Sequence, residues 1–122
     1  MRILVVDDSE PVREMLRMVL RSLGHEVVAA AGTGEEALAA YAQAHPDLVT
    51  LDISLPDISG VEVLRRLRAL DPKARVIVIT GNNSAVLAEQ VRSLGALHLI
   101  EKPCGPAELM KALALVEGEP PA

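Results

Sequence analysis

Short runs of β-branched and leucine residues alternate with longer helical patterns about five times along the chain, and this alternation limits its fold most. Such repeats are typical of βα units in a parallel sheet. The five predicted strands are residues 2–6, 26–30, 48–51, 75–79 and 97–100. Three of them lack polar alternation, which indicates that helices cover the sheet on both faces. The sequence therefore predicts an α/β fold with a doubly wound parallel sheet.

Five helices are predicted after these strands. The first spans about residues 10–23, where Ser9 is the N-cap and apolar residues recur at the i, i+3, i+4, i+7 spacing of one helix face. A capping box at residues 33–36 opens the second helix, which ends before Pro46. The remaining helices span roughly residues 61–70, 84–94 and 106–116.

Length and composition exclude several classes of protein. The 122 residues carry 17 acidic and 12 basic side chains, and this balance argues against binding to nucleic acid or anionic lipid. One cysteine excludes a disulfide scaffold, and the apolar run at residues 3–6 is too short for a signal peptide or membrane span. We therefore predict a cytoplasmic domain over residues 1–116, with residues 117–122 as a flexible tail or the start of a linker.

Polar side chains follow four of the five predicted strands. Asp7 and Asp8 follow the first strand, and Asp52 follows the third. Thr80 stands at the end of the fourth strand, and Lys102 follows the fifth. Open α/β sheets bind ligands outside the carboxyl ends of their strands, so we expect these side chains to converge on one edge. Taken alone, all of them except Asp52 read as ordinary turn or surface residues; Asp52 is less easily dismissed because it directly continues an apolar strand. Their shared position predicts a site.

The three aspartates predict a metal site at this edge. Crowded carboxylates repel one another, which raises their pKa values and costs stability, and a divalent cation removes that cost. Oxygen ligands without nearby His or Cys suit Mg²⁺ or Mn²⁺ rather than zinc. The ammonium of Lys102 and the hydroxyl of Thr80 are suited to binding a phosphate group beside the ion.

Several motifs carry a resemblance to a known family. They are VVDD at residues 5–8, PDLVTLDISLPDISG at 46–60, VITG at 78–81, GA at 95–96 and KP at 102–103. In this order and spacing, they resemble the receiver domain of bacterial two-component signalling, of the CheY type, from Met1 to about Val116. The resemblance implies a (βα)5 flavodoxin-like fold with strand order 2-1-3-4-5.

The resemblance also implies a phosphoacceptor. Asp52 would accept a phosphoryl group from the phosphohistidine of a sensor histidine kinase or phosphotransfer protein. Asp8, Asp52 and the backbone carbonyl of Ser54 would ligate Mg²⁺ or Mn²⁺, and Asp7 would hold a metal-bound water. On this reading the protein is not an enzyme with a separate substrate, although it assists its own phosphorylation and dephosphorylation.

Further roles are implied around the phosphoryl group. Lys102 and the Thr80 hydroxyl would contact its oxygens, and the Lys102-Pro103 peptide bond is expected to be cis. Ser54 and Asn82 are candidates for tuning the lifetime of the acyl phosphate, although both are equally well explained as ordinary polar loop residues.

The output side departs from the family pattern at two positions. The switch pairs the threonine, here Thr80, with an aromatic residue on strand five, but Leu99 stands at that position. Cys104 stands where the family often has Phe. The output partner is unknown, and the face made by helix four, strand five and helix five is a candidate homodimer surface.

Two other classes are less well supported. A phosphatase with an aspartate nucleophile usually has a second Asp two residues later, but Ser54 follows Asp52 at that spacing. A flavin carrier needs a Ser/Thr-rich phosphate loop and aromatic residues, but this chain has one aromatic, Tyr41. Within the receiver class, the chain is either a stand-alone regulator or part of a longer protein, for example one that binds DNA. A partner-binding adaptor with atypical switching is a further alternative.

Overall fold

The computed structural model describes residues 1–82 and 84–117, which form five strands and five helices in strict alternation. The strands are β1 (Arg2–Val6), β2 (Glu26–Ala31), β3 (Leu48–Leu51), β4 (Val76–Thr80) and β5 (His98–Glu101). The helices are α1 (Glu10–Ser22), α2 (Gly34–Ala44), α3 (Gly60–Leu70), α4 (Ala85–Ser93) and α5 (Pro106–Glu117). Glu117 ends α5, and the rest of the predicted tail, residues 118–122, lies outside the described residues.

The strands form one parallel sheet in the order β2-β1-β3-β4-β5, which confirms the predicted topology. In the register, Val6 of β1 is level with Leu51 of β3, and Leu51 is level with Val78 of β4. The backbone amide of Asp52 donates to the carbonyl of Val6 at 2.9 Å and extends the β1–β3 pairing by one residue. The carboxyl ends of β1 and β3 therefore finish side by side.

Two apolar clusters cover the two faces of the sheet. One contains Leu4 and Val6 of β1 with buried residues of α2, α3 and α4. The other contains Ile3 and Val5 with buried residues of α1 and α5. Alternate residues of β1 thus enter opposite clusters, which explains why this strand has no polar alternation. No helix among the described residues is long and apolar enough to span a membrane.

Tyr41 ties α2 to the end of α3. The residue is 8% exposed, and its hydroxyl donates to Oδ2 of Asp71, the C-cap of α3, at 2.8 Å. Burial raises the pKa of Tyr41 to about 12, and the hydrogen bond with Asp71 adds to this increase. The same bond lowers the pKa of Asp71.

We expect the phenol of Tyr41 to titrate near pH 12, with a lower midpoint in Asp71→Asn, which removes the neighbouring charge. The pKa of Tyr41 is raised in the folded state. The stability contributed by its buried, protonated phenol is therefore complete below about pH 10 and is lost as the pH rises toward 12. Because Tyr41 is the one aromatic residue, phenolate absorbance reports it alone, while circular dichroism monitors folding. A midpoint near 10 in folded wild-type protein would contradict the hydrogen bond.

Candidate functional site

Three aspartates meet at the carboxyl edge of the sheet, as predicted. Asp7 and Asp8 directly follow β1, and Asp52 directly follows β3. One carboxylate oxygen of each lies within 4.8 Å of one from each of the others. Asp7 and Asp52 are 1% and 4% exposed, whereas Asp8 is exposed. The cluster therefore consists of two buried carboxylates and a third that is exposed to solvent.

Lys102 bridges the two buried carboxylates. Its Nζ donates to Oδ2 of Asp7 at 2.9 Å and to Oδ2 of Asp52 at 3.2 Å. The backbone amide of Lys102 donates to the carbonyl of Thr80 at 2.8 Å, which holds the start of the β5–α5 loop against the end of β4. The Lys102-Pro103 peptide bond is cis, as the resemblance implied.

Backbone amides orient the other carboxylate oxygens. The Ser9 amide donates to Oδ1 of Asp7 at 2.9 Å, and the Ser54 amide donates to Oδ1 of Asp52 at 3.0 Å. Each buried carboxylate is therefore held by one loop amide and by the ammonium of Lys102. These hydrogen bonds fix the orientation of both side chains.

The site perturbs two pKa values. Burial raises the pKa of Asp52, and the charge of Asp7 adds to the increase, while the Ser54 amide and Lys102 oppose it. Burial acts to lower the pKa of Lys102, but its hydrogen bonds and charge interactions with Asp7 and Asp52 outweigh burial, so the pKa is raised. The lysine thus stays protonated beside a carboxylate that is costly to ionise.

Thr80 lies at the same edge. It is the last residue of β4 and is 1% exposed, and its Oγ1 accepts from the Asn82 amide at 3.1 Å. The Asn82 carboxamide oxygen accepts from the Ser84 amide at 2.9 Å, so this side chain takes part in the turn before α4. Ser54 and Asn82 are both exposed. Their predicted effect on the lifetime of a phosphoryl group stays a prediction.

The structure describes both departures on the output side. Leu99 is 37% exposed and pairs in the sheet with Val78, two residues before Thr80. Cys104 is half-buried and packs with the apolar cluster of α1 and α5. Burial raises the pKa of its thiol. The predicted switch at Thr80 and Leu99 stays a prediction.

Sequence reasoning missed three residues that shape the site. Asp57, in the loop after β3, accepts from the amides of Gly34 and Glu35 at 2.8 and 2.9 Å and so caps α2. These two hydrogen bonds lower the pKa of Asp57 to about 2. Gly60 packs against the backbone of Asp52, and Arg13 contacts the backbone of Asp7. The only local sequence signal for these contacts was the presence of Asp57 and Gly60 after the third strand.

The chemistry of the donor atoms fits a hard divalent cation. Asp7, Asp8 and Asp52 offer carboxylate oxygens, and no His or Cys belongs to this cluster within residues 1–82 and 84–117. Oxygen ligands of this kind suit Mg²⁺ or Mn²⁺. The donor set agrees with the cofactor predicted from the sequence.

Comparison with known proteins decides the family. Residues 3–114 match the family described as the response regulator receiver domain. The chain belongs to this family. The match spans β1 to α5 and includes all the predicted site residues of this receiver domain.

Curated relatives include both short and longer proteins. The receiver domain is 33% identical over 112 residues to the chemotaxis protein CheY of Thermotoga maritima. The aligned segment covers 92% of this chain and 93% of that protein. It is 40% identical over 109 residues to a protein-glutamate methylesterase/protein-glutamine glutaminase of Anaeromyxobacter dehalogenans, covering 88% of this chain but 32% of that protein. Similar domains thus occur alone and within longer chains.

Solved structures agree with the fold. A chain of the crystal structure of the CheX-CheY-BeF3-Mg+2 complex from Borrelia burgdorferi superposes with a TM-score of 0.94 at 31% identity, covering 97% of this chain and 90% of that chain. A CheY-like receiver domain from Methanospirillum hungatei gives a TM-score of 0.89 at 32% identity, covering 94% and 91% of the two chains. The CheY-like fold predicted for this receiver domain is therefore confirmed.

Proposed function

We propose that this receiver domain accepts a phosphoryl group on Asp52 from the phosphohistidine of a sensor kinase or phosphotransfer protein and relays the signal by changing partner binding. The observation that carries the proposal is the bridge from Lys102 Nζ to Asp7 and Asp52 at the carboxyl edge of the sheet. A buried carboxylate beside a cation and two further carboxylates is suited to binding a phosphoryl group together with a divalent metal ion.

The chemistry is the transfer of one phosphoryl group to a carboxylate. An oxygen of Asp52 attacks phosphorus, the P–N bond of the phosphohistidine breaks, and its electron pair returns to the imidazole nitrogen. The products are an aspartyl phosphate and a histidine. The domain is thus a phosphoacceptor that assists its own phosphorylation and dephosphorylation, not an enzyme with a separate substrate.

Lys102 and Thr80 would bind the oxygens of the phosphoryl group. The ammonium of Lys102 already lies at hydrogen-bond distance from Asp52 and would neutralise charge that is placed on this side chain. The Thr80 oxygen accepts from Asn82, and within the part of the chain that the structure describes its hydroxyl hydrogen has no acceptor. That hydrogen is thus left to donate to a phosphoryl oxygen.

The metal ligands would be Asp8, Asp52 and the backbone carbonyl of Ser54, with Asp7 holding a metal-bound water. When bound, Mg²⁺ or Mn²⁺ would neutralise negative charge on the transferring group. The exposure of Asp8 agrees with this role, since it leaves the cluster open on the side where a phosphodonor would approach.

The output surface would be the face made by α4, β5 and α5. Leu99 of β5 and Leu115 of α5 are 37% and 53% exposed and line one shallow cavity between these two elements. Exposed apolar side chains of this kind suit binding to an output partner or to a second copy of the chain. The proposal applies equally to a stand-alone regulator and to a receiver module of a longer protein.

The mass of the intact protein tests the phosphoacceptor directly. We expect wild-type protein with Mg²⁺ and a small phosphodonor such as acetyl phosphate to gain the mass of one phosphoryl group, and to gain none in EDTA. Asp52→Asn should gain none, whereas Asp47→Asn, a control at an exposed aspartate, should behave as wild type. An adduct that persists in Asp52→Asn would contradict the proposal. Absence of both an adduct and Mg²⁺ binding in wild type would favour a partner-binding adaptor.

A further inference from the structure

Arg13 reaches from α1 to the backbone at the start of the carboxylate cluster. Its Nη1 donates to the carbonyl oxygen of Asp7 at 2.7 Å, which belongs to the peptide bond between Asp7 and Asp8. The residue is half-buried, and in residues 1–82 and 84–117 no carboxylate oxygen lies within 4 Å of its guanidinium. Its contact at the site is therefore with a backbone group and not with an acidic side chain.

Gly32 provides the space for this guanidinium. A methyl group built at Gly32, just after β2, would lie 3.0 Å from Nη1 of Arg13 and 3.9 Å from the Asp7 carbonyl oxygen. The Asp7 amide also donates to the carbonyl of Ala31 at 3.0 Å. Arg13 thus lies between the β1–α1 loop and the β2–α2 loop, and it contacts both.

We propose that Arg13 is a positioning residue that fixes the peptide bond between Asp7 and Asp8 and thereby holds Asp8 ready to bind the divalent metal ion. Asp8 needs such support because its side chain is exposed and accepts no hydrogen bond from the described residues. The neighbouring Asp7 and Asp52 are oriented by loop amides and by Lys102, but Asp8 is oriented through its backbone. The inference rests on the proposed function, because it concerns the same metal ligand.

A purely electrostatic role and a positioning role of Arg13 predict opposite changes in cation affinity when Arg13 is replaced. Removing a positive charge near three carboxylates would by itself strengthen the binding of a cation. Losing the hydrogen bond that holds the Asp7–Asp8 peptide group would instead weaken cation binding. The loss of groups that orient metal ligands commonly weakens metal affinity by about 10-fold or more. The sign of the change in affinity therefore separates positioning from simple electrostatics.

Binding of Mn²⁺ alone, followed by the loss of the electron paramagnetic resonance signal of the free ion, tests this inference. We expect Arg13→Met to weaken Mn²⁺ binding by about tenfold. Arg13→Lys retains the charge and one donor, so it should recover part of the loss. Arg17→Met is the matched control, because Arg17 lies one turn further along α1 and faces Glu14 at 3.7 Å. The Mn²⁺ affinity of Arg17→Met should stay within about twofold of wild type, because solvent and salt screen this partly exposed charge.

A second variant tests the same contact from the other side. Gly32→Val fills the space of the guanidinium without changing any charge, and it should weaken Mn²⁺ binding by a similar factor. The double variant Arg13→Met with Gly32→Val should be no weaker than either single variant, because all three lose the same contact. Thermal unfolding in EDTA identifies any variant that fails to fold, and the other variant then carries the test.

The outcomes distinguish this inference from the proposed function. Equal or tighter Mn²⁺ binding by folded Arg13→Met, with wild type binding normally, would overturn the role of Arg13 and leave the phosphoacceptor proposal intact. Fully additive losses in the double variant would also overturn it. Failure of wild-type protein to bind Mn²⁺ would instead remove the proposed metal site, and the role of Arg13 with it.

Discussion

Lys102→Met is expected to lower the free energy of unfolding by about 3 kcal/mol at pH 7 in EDTA, since removing one partner of a buried ion pair leaves the other uncompensated. The ammonium contacts Asp7 and Asp52, which are both more than nine-tenths buried. The lysine side chain itself is 28% exposed, which places the expected cost at the lower end of the range for such pairs.

The loss should depend on pH in a defined direction. Burial already raises the pKa of Asp52, and removing Lys102 eliminates two of the interactions that oppose the increase. A carboxyl whose pKa is raised on folding gives its full stability below its unfolded pKa and loses it as the pH rises through the folded value. The variant should therefore approach the stability of wild type in acid and diverge from it toward neutral pH.

Mg²⁺ should partly restore this variant. Without the ammonium, Asp7 and Asp52 lose their internal cation and its competition with a metal ion, so we expect tighter Mg²⁺ binding and a larger gain in stability than in wild type. Phosphorylation by a small donor should nevertheless fall by about 100-fold, because a group that stabilises the transferring charge is gone.

Urea denaturation at several pH values, with EDTA or Mg²⁺, measures these effects, and Lys111→Met is the matched control. Lys111 is exposed on α5, and within the described part of the chain it forms no ion pair closer than 4 Å. Its replacement should change stability by less than about 0.5 kcal/mol at any pH. Equal stability of Lys102→Met and wild type at pH 7 would show that the bridge contributes nothing.

Gly60→Ala is expected to cost about 3 kcal/mol, at the upper end for overpacking, because the added methyl group would collide with backbone. A Cβ at Gly60 would lie 2.3 Å from the carbonyl oxygen of Asp52 and 2.6 Å from Cα of Ile53. The Gly60 amide also donates to the Ile53 carbonyl at 2.8 Å. Either α3 or the backbone of Asp52 must move, so phosphorylation of Asp52 should slow as well.

Gly81→Ala is the matched control for this substitution. Gly81 follows β4 at the same edge of the sheet, but a methyl group there would have no atom within 4 Å, and its φ is not positive. Alanine should therefore leave stability unchanged or raise it by about 0.5 kcal/mol, since it restricts the unfolded chain. Chemical denaturation of both variants makes the comparison, and a Gly60→Ala protein as stable as Gly81→Ala would contradict the close backbone contact.

The predicted strands and helices agree with the structure to within one or two residues at each end. The strand predicted at residues 75–79 is β4, Val76–Thr80, and the first helix ends at Ser22 rather than Leu23. These elements were predictable because apolar runs, helix periodicity and N-caps such as Thr33 are local signals. The exact end residues of strands and helices are harder to predict from sequence, because they depend on hydrogen bonds between neighbouring elements.

The convergence of Asp7, Asp52, Thr80 and Lys102 was also predictable. In a parallel sheet every strand ends at the same edge, so residues that follow different strands are brought together by topology alone. The contacts of Arg13, Asp57 and Gly60 were not predictable in this way. The Asp57 contact joins two loops that are 23 residues apart in the sequence. The contacts of Arg13 and Gly60 depend on how α1 and α3 pack back against the ends of β1 and β3.

The sequence by itself thus determined the α/β class, the order of the elements and the residues that meet at the site, because each follows from local pattern and parallel topology. Only the tertiary structure decided that Lys102 bridges both buried carboxylates and that Arg13 supports the Asp7–Asp8 peptide bond. Side-chain direction and burial depend on how loops pack against one another, and that packing is a property of the whole chain rather than of any segment.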